Sequence, residues 1–428
     1  MESLIIKAGN PLRGEVKVSG AKNSALPLMI ATLLSRETCA LSNVPNLEDI
    51  HVMVRLLRSF GAKVEFKGQT LKVTASDLTS SAAPYSLVKL IRASFWVLGP
   101  LVARTGYARV ALPGGDAIGT RPVDLHLKGL QQFGIEVRQE HGAVIAEAPG
   151  ELTPAEINLE FPSVGATQHL LLTAALVPGV TTIRGAAREP EISEVAEYIS
   201  AMGAHVEGIG ESTLKIHGTK ELGSVTRSIG GDRIEAATYL IAGAMTGGNV
   251  TVQGISPNYL GATLDLLEKM GCEVMTKDHS VTVSQSGGLQ PVSFHTGPFP
   301  QTATDVQPLF MAALTMAAGK SEIEETVFEN RFGHVAEYRR LGAKISTHGG
   351  KAIIEGGTLL SGAPVEARDI RAAAGLVLLG LVAQGETEIQ EIHHLDRGYD
   401  SLVDKFKSLG ANLKRVPLID GREIVVGC

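Results

Sequence analysis

FGAKVEF, residues 60–66, decides the fold of this chain, because its order of bulky apolar residue, glycine, small or branched residue and strand returns five more times. The returns are FGIEVRQ (133–139), MGAHVEG (202–208), MGCEVMT (270–276), LGAKIST (341–347) and LGANLKR (409–415). The glycines, Gly61, Gly134, Gly203, Gly271, Gly342 and Gly410, are 73, 69, 68, 71 and 68 residues apart. Chance turns do not keep such a period, so the chain reads as six repeats of one supersecondary unit. Before each glycine the apolar residues fall at helical spacing, as in Ile50, Val54 and Leu57 or Leu402, Phe406 and Leu409. One helical face is therefore buried, and the glycine is expected to take the left-handed conformation that ends the helix.

A second helix recurs in each unit and is apolar nearly all round: NSALPLMIATLL, RASFWVLGPLVA, GATQHLLLTAAL, IEAATYLIAGAM, DVQPLFMAALTM and RAAAGLVLLGLVA. Helices of that kind belong inside a domain. Short alternating strands such as GEVKVS, TLKVTA and AVIAEA fill the gaps. Each unit thus reads as strand, buried helix, strand, amphipathic helix and two strands. The expected fold is a two-domain inside-out α/β barrel, three βαβαββ repeats to a domain, with helices at the centre and sheets outside. Residues 22–230 would form one domain, and residues 1–21 with 231–428 the other. The lone strand Leu4 to Lys7 would complete the last unit, so the chain crosses between domains twice, which suits a hinge.

Composition narrows the function. Hydrophobic residues make up 44% and charged residues 20% of 428, aromatics only 4%, and there are 48 glycines. That is the make-up of an ordered, turn-rich globular protein. A net charge of −6 offers no basic field for nucleic acid or anionic lipid, so an anionic partner must be a small molecule met by a local cluster. Cys39, Cys272 and Cys428 have no metal-ligand spacing and suggest a reducing compartment. His393 and His394 have no third ligand at helical spacing, so no metal is expected. The opening MESLIIKAGN is too short in apolar residues for a signal peptide, and the smoothest apolar run, Ala372 to Ala383, is too short to span a bilayer. A cytoplasmic protein is expected. The GKS at Gly319 to Ser321 has Leu314 where a phosphate loop needs glycine, and no dinucleotide fingerprint or nucleophile elbow occurs.

Polar residues gather at particular points of the repeat. Lys22 and Asn23 start the first buried helix, Arg92 the second, Ser163 and Thr167 the third, Arg233 the fourth, Thr304 and Asp305 the fifth, and Asp369 with Arg371 the sixth. Helix amino termini favour anions. The other junctions carry Asp116 and Arg121, Glu329 and Arg331, and Asp396 and Arg397. If these ends face one cleft between the domains, it holds Lys22, Arg121, Arg331, Arg371 and Arg397 with Asp116 and Asp305. The plainer alternatives are that Asp305 and Asp369 only cap helices and that the arginines only make salt bridges. Asp116 stands in LPGGDAIGTRPVDLH, residues 112–126, where Gly114 and Gly115 give freedom to close over a ligand.

The segments SGAKNSALP, IRASFWVLGPLVAR, PGGDAIGTRPVDLH, FPSVGAT, GDRIEA, TDVQP, TVFENRF and HLDRGYD resemble, in order and spacing along almost the whole chain, the bacterial UDP-N-acetylglucosamine 1-carboxyvinyltransferase family. The resemblance implies two domains of three βαβαββ units with a ligand cleft between them. It also implies an enolpyruvyl transferase that moves the enolpyruvyl group of phosphoenolpyruvate to the 3′-hydroxyl of UDP-N-acetylglucosamine and releases phosphate by addition and elimination. This is the first committed step of peptidoglycan synthesis, and no cofactor is implied. Carried onto matching positions, Lys22, Asn23, Arg121, Arg331, Arg371 and Arg397 would hold phosphoenolpyruvate. Asn23, Arg92, Arg121, Pro122, Val123, Asp124, Leu125, Ser163, Val164, Thr304, Asp305, Val327 and Asp369 would meet the UDP-sugar. Catalysis would fall to Asp116, Asp305, Lys22 and Arg397. Asp305 matches the base for the sugar hydroxyl, and Asp116, on a mobile loop of about residues 112–122, the acid that protonates the methylene carbon.

Two positions depart from the family pattern. Most members carry cysteine where this chain has Asp116, and proline is common where it has Ala303. A carboxylic acid ordinarily titrates near about pH 4, so acting as an acid near neutrality requires surroundings that hold its proton. Bound phosphate and carboxylate with water excluded push that way, and Arg121 pushes against it. The antibiotic fosfomycin alkylates the family's loop cysteine, and a carboxylate is a poorer nucleophile, so resistance is expected. The rival readings are the shikimate 3-phosphate enolpyruvyl transferase and a silent UDP-sugar-binding regulator. The AKN motif and the Asp116 loop weigh against the first, and the full set of charged positions against the second.

Overall fold

The computed structural model describes residues 2–116, 118–119 and 122–417. All six repeat glycines have positive φ, from 84° at Gly134 to 120° at Gly203. Each follows a helix, namely Glu48–Ser59, Asp124–Gln132, Pro190–Met202, Gly261–Lys269, Val335–Arg340 or Leu402–Ser408. At the first of them the Gly61 N–H donates to the Arg58 carbonyl (3.0 Å) and the Ala62 N–H to the Leu57 carbonyl (3.3 Å). This pair of bonds caps the last turn and directs the chain into the next strand. It recurs at Gly203, Gly271, Gly342 and Gly410. The sequence period is therefore the period of one helix stop.

Among the described residues, six sheets correspond to the six repeats, five with four strands and one with three. In the third repeat, Glu156–Asn158 runs parallel to Gly179–Arg184, which pairs antiparallel with Thr213–Gly218, itself antiparallel to His205–Glu207. The parallel pair brackets the buried helix Val164–Ala174. Strands borrowed from afar complete three sheets. Thr226–Ser228 lies beside Thr38–Ser42 of the first repeat, and Arg13–Lys17 beside Asn249–Gln253 of the fourth. Glu2–Lys7 is inserted between Glu386–Gln390 and Asn412–Pro417 of the sixth. In the second repeat the edge strand shrinks to a single bridge, Ala82 to Arg109.

The buried helices are Lys22–Ala31, Leu98–Thr105, Val164–Ala174, Arg233–Met245, Gln307–Leu314 and Ile370–Val382. Those of the second and fifth repeats begin as 3-10 turns, Arg92–Val97 and Thr304–Val306. Strand faces alternate, as in Thr70–Thr74 where Leu71 and Val73 are fully buried beside exposed Thr70 and Lys72, so this sheet covers its helices on one side and meets water on the other.

The chain divides into two compact units. One comprises Ser19–Arg233 with Pro298–Gln301; the other comprises Met1–Val18, Ile234–Gly297 and Thr302–Cys428. Each has its own apolar core, the first running from Ala25 to Ile229 and the second from Leu4 to Leu413. Among the described residues no helix is long and apolar enough to cross a membrane.

Candidate functional site

In the unit containing Ser19–Arg233, Lys22 is the first residue of its buried helix and is itself buried. Its Nζ lies 3.2 Å from Asp49 Oδ2, and its backbone N–H donates to Asp232 Oδ2 at 3.3 Å. Two acids from separate elements thus hold a lysine that would be costly to bury alone. Next to it, the Asn23 carbonyl accepts from Gln168 Nε2 at 3.3 Å, which joins this helix to the buried helix of the third repeat. That helix begins at Val164, and Ser163 caps it by accepting from the Ala166 N–H at 3.3 Å.

A second group forms around Arg92, whose Nη2 donates to the Pro122 carbonyl at 3.4 Å. Arg92, Pro122, Val123, Asp124, Lys128 and Arg138 are among the residues that line one open cavity of about 610 Å³. Leu125, half-buried in the first turn of Asp124–Gln132, packs against the core. One residue further, His126 is buried against His169, their Nδ1 atoms 3.0 Å apart. Burial, together with the nearby His169 and Arg92, holds the His126 imidazole well below its usual range. Burial pushes His169 down to about 3. A Cβ on Gly165 would sit 3.4 Å from the His126 ring, so Val164 and Asp124 belong to helices packed at this point.

Asp116 is half-buried, and its carbonyl accepts from the Ile118 N–H at 3.0 Å. Gly114 lies so close to the Lys89 carbonyl that a Cβ there would stand 2.0 Å from the oxygen. The loop needs glycine at that point for close approach. Arg121 lies outside the described residues.

The remaining candidates gather in the other unit. Arg331 Nη1 lies 3.2 Å from Asp369 Oδ1, with side-chain exposures of 1% and 9%. Asp369 also caps its helix, accepting from the Arg371 and Ala372 N–H groups at 2.9 Å each. Burial works to raise its carboxyl, but Arg331, the Ala372 N–H and His334 outweigh that and hold it below the usual carboxylate range. Arg371 donates from Nε and Nη2 to Asp305 Oδ2, at 3.3 and 3.2 Å. It also lies 5.6 Å over the Tyr399 ring, close to the Gly398 backbone and so to half-buried Arg397. Thr304 donates to Glu325 Oε2 at 3.0 Å and passes its carbonyl to Arg331 Nε at 3.4 Å. Glu325 Oε1 accepts from the Val327 N–H at 2.9 Å. Thr304, Asp305, Glu325, Val327, Arg331, Asp369 and Arg371 thus share one network, and Arg397 is next in the chain to Gly398 at its edge. Asp305 is the ion-pair partner of Arg371.

The profile of the EPSP synthase (3-phosphoshikimate 1-carboxyvinyltransferase) family matches residues 6–406. A UDP-N-acetylglucosamine 1-carboxyvinyltransferase from Granulibacter bethesdensis is 46% identical, over 97% of this chain and 100% of its own length. One from Acidiphilium cryptum is 48% identical over 97% of this chain and 100% of its own length. The chain belongs to the UDP-N-acetylglucosamine 1-carboxyvinyltransferase family. It is an enolpyruvyl transferase. The enolpyruvyl transferase NikO from Streptomyces tendae has a TM-score of 0.87 at 28% identity, covering 97% of this chain and 99% of that one. EPSP synthase from Acinetobacter baumannii shares the fold at TM-score 0.78 and 18% identity, over 97% of this chain and 100% of that one.

Asp49 and Asp232, which hold Lys22, and Glu325, which holds Thr304 and the Val327 backbone, were not marked by the sequence. Their signal was weak. Asp49 reads as an ordinary acid in the first turn of an amphipathic helix, and Glu325 as one more acid in the IEET run.

Proposed function

We propose that the protein transfers the enolpyruvyl group of phosphoenolpyruvate to the 3′-hydroxyl of UDP-N-acetylglucosamine, releasing phosphate, as the first committed step of peptidoglycan synthesis in the cytoplasm. The observation that carries this reading is the Asp305–Arg371 pair beside the Arg331–Asp369 pair, two carboxylates and two guanidinium groups, of which Asp305, Asp369 and Arg371 stand at the starts of two buried helices. Such a cluster suits a reaction in which an anionic substrate must meet a hydroxyl that loses its proton.

In this reading Asp116 gives a proton to the methylene carbon of phosphoenolpyruvate while the sugar oxygen bonds to C2 and Asp305 takes the hydroxyl proton. The tetrahedral intermediate then loses phosphate and a proton from the new methyl group, restoring the double bond. Lys22, Asn23, Arg121, Arg331, Arg371 and Arg397 hold the phosphoenolpyruvate anion through both steps. Arg92, Arg121, Pro122, Val123, Asp124, Leu125, Ser163 and Val164 grip the UDP-sugar, and the cavity beside Arg92 takes its nucleotide end. Thr304, Val327 and Asp369 also meet the sugar. With aspartate at position 116, fosfomycin finds no thiolate to alkylate.

Phosphate release measured with phosphoenolpyruvate and either UDP-N-acetylglucosamine or shikimate 3-phosphate tests the proposal. Release with the UDP-sugar alone is expected. Release with the shikimate ester instead would overturn it, and UDP-sugar binding without release would point to a regulator.

A further inference from the structure

The outer face of the third-repeat hairpin carries a set of donors that enolpyruvyl transfer does not use. Strands His205–Glu207 and Thr213–Gly218 pair antiparallel with His205 directly opposite His217 and Glu207 opposite Lys215. Side chains alternate across a strand, so Val206, Leu214 and Ile216 enter the core while His205, Glu207 and His217 share the solvent face. The two imidazole rings are 5.3 Å apart between centroids, and His217 Nε2 lies 2.8 Å from Glu207 Oε1. One donor atom from each of the three residues falls within 4.8 Å of the others.

We propose that His205, Glu207 and His217 form a binding site for a divalent transition-metal ion of the imidazole-preferring class, of which Zn2+ is the representative. Two nitrogens and one carboxylate oxygen suit Zn2+, which bonds to them at about 2.0–2.2 Å and so needs donors about 3.3 Å apart in tetrahedral geometry. Small rotations of exposed side chains close the remaining gap. A hydrogen bond between His217 and Glu207 would by itself serve the hairpin; the third donor placed directly across the ladder makes the set a chelate. The three residues leave an open position for water. Sequence spacing hides the site, because His205 and His217 are brought together by strand register rather than by a short motif. None of the residues assigned to substrates lies on this hairpin, so the site is separate from turnover.

Lys215, opposite Glu207, opposes an incoming cation. Chelator-treated protein is titrated with Zn2+ by calorimetry and with Co2+ by its visible absorption. One saturable equivalent is expected, weakened at least about tenfold by H205A or H217A and tightened by K215Q, with folding and phosphate release unchanged in all three. Absence of saturable Zn2+ binding overturns the proposal, as does equal affinity in the H205A/H217A double variant.

Discussion

The Nδ1 atoms of His126 and His169 lie 3.0 Å apart, and only one of them carries the proton between them. The Gly99 N–H donates to His169 Nε2 at 2.8 Å, so that nitrogen has the lone pair and Nδ1 has the hydrogen. His126 Nδ1 therefore accepts. The pair bonds fully only when both rings are neutral, and it ties the helix bearing Asp124 and Leu125 to the helix that starts at Val164.

Because burial holds both imidazoles below their usual 6.5, with His169 at about 3, the unfolded chain takes up protons that the folded chain refuses. Their contribution to stability is complete above about pH 6.5 and is lost as pH falls toward 3, by up to about 1.4 kcal/mol per pH unit for each ring. Urea unfolding of His169→Gln is expected to show a flatter loss between pH 6.5 and 4 than the native chain. The same variant should raise KM for the UDP-sugar more than it lowers kcat. An unchanged pH slope would contradict the assignment.

Arg331 and Asp369 form a buried pair, and removing one partner leaves the other charged and alone. Asp369→Ala should cost about 3–5 kcal/mol, including a lost helix cap. The apolar double variant R331M/D369L should recover most of that stability and none of the phosphate release. The carboxyl sits below its usual 3.8, so its stabilisation is present above that pH and is lost only as pH falls further. Asp369→Asn should therefore be less stable than native by a constant amount above about pH 4, including the histidine window, and the gap should narrow only below about pH 4.

Lys22 is aimed by Asp49 as well as charged. Lys22→Ala is expected to lower kcat by about 10² or more, and Lys22→Arg to restore little, because a planar fork cannot replace a compact ammonium. Asp49→Asn should raise KM for phosphoenolpyruvate while the far-ultraviolet spectrum stays native. A normal KM in that variant would show that the aim comes from elsewhere.

Asp116 is expected to be the acid of the addition step. Asp116→Asn should lose about 10²–10⁴ in kcat/KM, and a profile against pH that persisted unchanged would remove it from the mechanism. Asp116→Cys should become sensitive to fosfomycin, detected as a covalent adduct by mass. Rapid adduct formation on the native chain would contradict the resistance.

Local chemistry made much of the fold legible. A glycine that stops a helix leaves its mark in the sequence, so Gly61 and its five equivalents reported the repeat directly. The borrowed strands left fainter marks: nothing in Thr226–Ser228 says that its partner is Thr38–Ser42, since register is settled by tertiary packing. The excursion of Pro298–Gln301 into the other unit is equally silent. At the site, positions that start buried helices could be read because polar residues stand out against apolar ones. The acids that hold them could not, because Asp49 and Asp232 come to Lys22 from 27 and 210 residues away.

The strand Glu2–Lys7 has its partners at Glu386–Gln390 and Asn412–Pro417. As the chain leaves the ribosome, this first strand and Arg13–Lys17 are made long before anything they can pair with. The stretch 19–233 supplies its own core and can close during synthesis. Arg13–Lys17 must wait for Asn249–Gln253, and Glu2–Lys7, with Leu4 and Ile6 uncovered, for Glu386–Gln390 and Asn412–Pro417. Their exposure to chaperones and proteases is thus set by the length of chain between each strand and its partner.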